Sequence, residues 1–147
     1  VVLATSARAA APIVRDADAT LADALASIEY AGMAVAALGY RAADVPRPLD
    51  GYGYLATRGE GLATLGVVWE SSLFPHRAPA GHVLLRAMLG GARRPEVAGW
   101  ADDAVLEVAR RELAGVLGIT AAPVHASVHA WSAAIAQYTL GHRQRRG

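Results

Sequence analysis

GVVWESSLFPHRAPAGHVLLRAMLGGARRPE, residues 66 to 96, decides the architecture. An apolar run passes through Val67 and Val68, meets Phe74-Pro75 and Arg77-Ala78-Pro79, returns as a second apolar run, and stops at Gly90-Gly91. Proline donates no ladder hydrogen bond, so two short apolar runs on either side of a proline-stiffened connection read as antiparallel strands. The expected strands are Leu65 to Ser72 and His82 to Leu89, joined by Phe74 to Gly81. The closing glycines have two readings: a turn or bulge, or a place where backbone approaches a large flat ligand.

Outward from the hairpin, the same logic applies. Thr57 to Gly61 holds two glycines and charges and is a turn. Gly51 to Thr57 alternates aromatic residues with glycine, Ala31 to Tyr40 is rich in small and β-compatible residues, and Val45 to Asp50 is broken by Pro46 and Pro48. Strand, loop and strand follow, giving an antiparallel meander of four strands. Downstream, Val105, Leu106, Val108, Ala109, Leu113, Val116 and Leu117 recur at helical spacing. Asp102 and Asp103 suit the positive end of that helix and Gly118 its stop. Val124 to Trp131 alternates again and is a further strand before the QYTLGH turn. At the start, Val1 to Ala4 reads as a strand buried on both faces, Ala7 to Val14 as a short helix, and Thr20 as the cap of a helix over Leu21 to Ile28. The fold class is α+β, an antiparallel sheet with packed helices.

Composition narrows the functions. A chain of 147 residues with 54% hydrophobic and 18% charged residues buries one core, which excludes disorder. Its formal net charge is +1 and every basic residue is arginine, so the basic stripe that nucleic-acid binding requires is missing. The absence of lysine beside so much alanine reads as coding bias of a high-GC bacterium. Without cysteine there is no disulfide, thiolate metal site or cysteine nucleophile. No apolar run reaches the roughly 20 residues that cross a bilayer. VVLATSA carries no leader signal and HRQRRG opens as a polar helix, so the chain reads as an internal piece of a longer protein.

Candidate chemistry is sparse. His125 and His129, four apart on a strand, stand about 13 Å apart and do not share an ion. His76 and His82 lack partners at ligand spacing. Ser71 and Ser72 fall within a strand and not on a nucleophile turn. GYG at 51 to 53 and GEG at 59 to 61 lack the third glycine of a dinucleotide fingerprint.

LDGYGYL (49 to 55), the opening hairpin with its SSLFP-x-RAP and GGAR blocks, and AIAQYTLGH (134 to 142) closely resemble the FAD-dependent protoporphyrinogen and coproporphyrinogen III oxidases, relatives of the flavin amine oxidases. The resemblance runs from Val1 through His142 in one order. Ser6 and Ala136 stand where that family usually has proline. The resemblance implies three parts: 1–14, a strand-turn piece of the FAD-binding domain; 15–130, a portion of the substrate-binding domain; and 131–147, a return toward the flavin. It implies that Leu55, Val68 and Met88 line a tetrapyrrole cavity, that Trp131 and, more weakly, Thr5 and Ala4 face the cofactor, and that no side chain here is catalytic. Arg77 and Arg93 are the local candidates for substrate carboxylates, with surface solvation the default for both.

The implied activity is six-electron oxidation of a porphyrinogen by FAD and molecular oxygen in haem biosynthesis. A piece of this length, lacking the family's glycine-rich pyrophosphate unit, is not expected to hold FAD or turn over by itself. A cytoplasmic location is expected, and the family leaves room for peripheral membrane attachment and a homodimer. The other open readings are a fragment of a different amine oxidase-like enzyme and a non-catalytic tetrapyrrole-binding module.

Overall fold

The structure, a computed structural model, describes residues 2–143. In chain order its elements are α1 (Ala7–Val14), α2 (Ala19–Ala26), β1 (Tyr30–Arg41), β2 (Gly53–Leu55), β3 (Thr64–Trp69), α3 (Glu70–Leu73), β4 (His82–Gly90), α4 (Asp102–Leu117) and β5 (His125–Ala136), with single 3₁₀ turns between some of them. One antiparallel sheet in the order β2-β3-β4-β1-β5 carries the molecule. The α+β expectation holds, and α1 matches its expected span.

The strand order corrects the expected meander. β2, β3 and β4 follow one another, but β1 lies against β4 and not against β2. The physical reason is length. β1 has 12 residues and pairs with β4 from Met33↔Gly90 to Arg41↔His82, whereas β2 offers only three residues. β5 extends beyond its expected end because β1 supplies partners as far as Tyr30↔Ala136. It crosses Ala130 and Trp131 without a break.

Three further corrections concern local chemistry. α2 is capped by Asp18 and not by Thr20: the Leu21 N–H donates to Asp18 Oδ1 at 2.9 Å, while Asp23 is drawn to Arg15 at 2.9 Å. An extended residue with a carboxylate is the stronger cap, and Thr20 falls inside the first turn. Ser71 and Ser72 lie in the one-turn helix α3, not in a strand. Ser71 Oγ accepts from the Leu84 N–H at 3.1 Å and the Ser72 hydroxyl donates to the Leu49 carbonyl, so side chains replace the ladder there. Residues 2–4 form no strand. Val2 is 90% exposed, and no strand among the described residues lies beside it. Val1 and 144–147, including most of the expected C-terminal polar helix, lie outside the described residues.

The core occupies one side of the sheet. Ala34, Ala36, Leu38 and Tyr40 from β1, Val67 from β3, and Leu85, Ala87 and Leu89 from β4 are buried with Val105, Ala109, Leu113 and Leu117 of α4. Each fully buried leucine contributes roughly 1.5–3 kcal/mol by leaving water. Burial raises the Tyr40 hydroxyl above its ordinary value, with Arg110 opposing. A buried carboxylate in this layer is hydrogen-bonded through both oxygens. Glu112 of α4 accepts the Ala63 and Thr64 N–H groups at 2.8 and 2.9 Å and the Thr64 hydroxyl at 2.7 Å, tying the helix to the start of β3. α4 ends at Gly118 in the left-handed conformation, as expected. No helix among the described residues is long and apolar enough to cross a membrane.

Candidate functional site

The other side of the sheet is the candidate site. Direct ladder partners share a face, so the register places Leu55, Gly66, Met88, Val35 and His129 in one row across all five strands. The next row holds Gly53, Val68, Arg86, Ala37 and Ser127, and on the opposite flank Gly90, Met33 and Trp131 form another. All three residues expected at the tetrapyrrole, Leu55, Val68 and Met88, therefore lie on one face, with Trp131 on that face too. Five strands about 4.8 Å apart make the shelf about 19 Å wide, and successive rows are about 7 Å apart.

This face is largely apolar and is not covered by the described residues. Leu55 is 79% exposed and Trp131 45%, while Met33, Val35, Ala37, Val68 and Met88 are half-buried. Gly66 keeps the shelf flat: a Cβ there would stand 2.5 Å from the Tyr54 carbonyl oxygen and 2.9 Å from Leu55 Cδ2. With hydrogen in its place, the Leu55 side chain lies over β3 toward Met88. The closing glycines are required by the chain's own turn. Gly90 has φ of 102°, and a Cβ on it would lie 3.0 Å from the Gly32 carbonyl oxygen, so its space is filled by β1 backbone; that on Gly91 would meet Leu65 Cδ1 at 3.0 Å. Both glycines have positive φ where β4 ends, so the turn reading accounts for them.

Expected cofactor residues gather at one end of the sheet. The Trp131 ring lies 4.0 Å from the His129 ring, centroid to centroid, at a tilt of 52°. Thr5 is exposed just before α1, which is tethered to the sheet by the Ala7 N–H on the Tyr30 hydroxyl at 2.9 Å. Beyond β5, the Gln137 N–H donates to the Glu29 carbonyl at 2.9 Å, returning the chain to that end. Ala4 is exposed beside Thr5.

At the other end of the shelf a cavity of about 580 Å³ opens, lined by Ala37, Gly39, Leu84 and His125 and roofed by Arg77 to Pro79. Beside it is a charged cluster that sequence reasoning caught only in part. Glu70, 4% exposed in its side chain, lies 2.6 Å from Arg86 Nη2 and 3.9 Å from Arg77 Nη1. Arg77 also stacks over Phe74 at 5.3 Å. Arg86 was the residue missed. The available signal was its parity: it lies two positions before Met88 on one strand and must share its face. Arg93 stays exposed in the turn after Gly91. Among the described residues no cluster of His, Cys, Asp or Glu is arranged to hold a metal ion.

The model of the family described as flavin containing amine oxidoreductase matches residues 1–147. This chain belongs to that family. Among curated proteins it is 34% identical over 150 residues to the chloroplastic protoporphyrinogen oxidase of Nicotiana tabacum, covering 97% of this chain and 27% of that one. It is 29% identical over 121 residues to the coproporphyrinogen III oxidase of Bacillus subtilis (strain 168), covering 82% of this chain and 26% of that one. The chain thus spans about a quarter of the length of these relatives. The fold matches a crystal structure of a protein from Exiguobacterium sp. 255-15 with a TM-score of 0.73 at 22% identity, over 92% of this chain and 30% of that one.

Proposed function

We propose that this chain forms one wall of the substrate chamber of a flavin-dependent oxidase that converts a porphyrinogen, protoporphyrinogen IX or coproporphyrinogen III, to the porphyrin. The observation that carries the reading is the shared face of Leu55, Val68, Met88 and Trp131, apolar and uncovered on a shelf about 19 Å wide. A flat macrocycle is the kind of molecule such a shelf can seat, and the relatives named above support that choice.

The residues present fit the ring edge of a flavin. A half-exposed indole at the open end of the shelf offers an aromatic surface, whereas no glycine-rich unit in this chain would hold a pyrophosphate. Trp131 and Thr5 are the residues proposed to meet the cofactor. The chemistry FAD supplies when bound is acceptance of hydride from the macrocycle, in three two-electron rounds, with molecular oxygen as terminal oxidant. This chain's own part is positional: Leu55, Met88 and Val35 exclude water from one side of the porphyrinogen, and Gly66 between them leaves the ring room to lie flat. We assign 15–130 to the substrate side and 1–14 with 131–147 to the flavin side.

Met88→Glu tests the reading in the full-length protein. A carboxylate set against an apolar ring is expected to weaken porphyrin binding at least about tenfold with little loss of stability, because Met88 is not in the core. An unchanged affinity removes Met88 from the chamber and the wall with it.

A further inference from the structure

Arg86 is a departure from its surroundings. It stands on the apolar face between Val68 and Ala37, one row from Met88, and so about 7 Å along β4 from the centre of the shelf. An arginine there could have swung into solvent. It is instead held 2.6 Å from Glu70, whose carboxylate is buried to all but 4% of its side-chain surface. Arg77 approaches the same carboxylate at 3.9 Å and roofs the adjoining cavity. Two guanidinium groups meet one carboxylate, so the cluster carries one surplus positive charge. The contact to Glu70 goes through Nη2 of Arg86, and a guanidinium has five N–H donors in a fixed fork. The side chain is 45% exposed, so part of the fork remains accessible beside the shelf row on which Arg86 stands.

We propose that Glu70 sets Arg86, with Arg77 beside it, as a clamp for a peripheral carboxylate of the tetrapyrrole. The inference rests on the wall reading above and adds to it the polar contact that fixes how the ring lies. A ring on Met88 and Val35 brings a propionate arm within reach of the next row, where the surplus charge waits. Bidentate arginine recognition of a carboxylate supplies orientation as well as affinity. Glu70 is a positioning residue, since it acts through Arg86 and is itself buried away from the ring.

The test is a fluorescence titration of the flavin-loaded full-length protein with coproporphyrin III and with its tetramethyl ester, which keeps the ring and removes the negative charges. The wild type is expected to hold the acid more tightly than the ester. Arg86→Gln combined with Glu70→Gln, so that no buried carboxylate is left unpaired, is expected to weaken acid binding by about tenfold and to leave ester binding within about twofold. Met88→Glu separates this claim from the one beneath it, because it should weaken the ester as well. An acid-to-ester preference that is equal in wild type and double variant, with ester binding still sensitive to Met88→Glu, overturns the clamp and leaves the wall standing. Ester binding indifferent to Met88→Glu overturns both.

Discussion

Along β1, Ala34, Ala36, Leu38 and Tyr40 face α4 and are at most 1% exposed, whereas Met33, Val35 and Ala37 face the other way and remain half-buried. The residue types on the two sides hardly differ. In an antiparallel sheet with one wet face the outer positions are polar; here both are apolar, and only one is covered by the described residues. That difference separates two uses of burial. The α4 side converts apolar area into stability, while the shelf side leaves apolar area that the proposed reading assigns to a bound ring.

The contrast can be broken on β1 itself. Leu38→Ala empties a sealed site and is expected to cost about 3 kcal/mol in denaturant titration of the full-length protein. Val35→Ala, three residues earlier on the open face, is expected to cost about 1 kcal/mol or less. Equal losses would mean that the two faces are equally sealed in the whole protein.

A second measurement probes what fastens the covered side. Glu112→Ala leaves the Ala63 and Thr64 N–H groups without their acceptor under α4, and is expected to cost about 2 kcal/mol. Glu70→Gln on the open side, where the neighbouring arginines reach water, is expected to cost less than Glu112→Ala when melting temperatures are compared. A larger effect at Glu70 would make that carboxylate a fold anchor first.

How far the sequence foretold this arrangement depends on the range of each interaction. α4 was legible because its apolar spacing, its acidic start at Asp102-Asp103 and its stop at Gly118 are all local. The hairpin of β3 and β4 was legible for the same reason. The pairing of β1 with β4 was not, because it joins residues about 50 positions apart and depends on competing strand lengths. The one-turn helix at 70–73 was hidden because the serine bonds that sustain it reach across to Leu84 and Leu49. The pocket trio came from family resemblance, and only the register shows that its members share a face. Arg86 needed both: its parity was in the sequence, but its partner Glu70 came within reach only through the turn after Trp69.

The smallest expected effect is the sharpest comparison, because it uses neighbours with one chemistry. Val67 is 1% exposed and faces α4, while Val68 is half-buried and faces the shelf. Threonine in place of valine keeps the shape and adds a hydroxyl, so the cost reads the polarity of what surrounds it. Val67→Thr is expected to lower stability by about 1 kcal/mol, since the hydroxyl enters an apolar layer. Val68→Thr is expected to change it by under about 0.5 kcal/mol and to weaken porphyrin binding instead, because the hydroxyl then faces the ring. Matching stability losses at the two positions in the full-length protein, with porphyrin affinity untouched at Val68, would mean that protein packs on the shelf where the ring is proposed to lie.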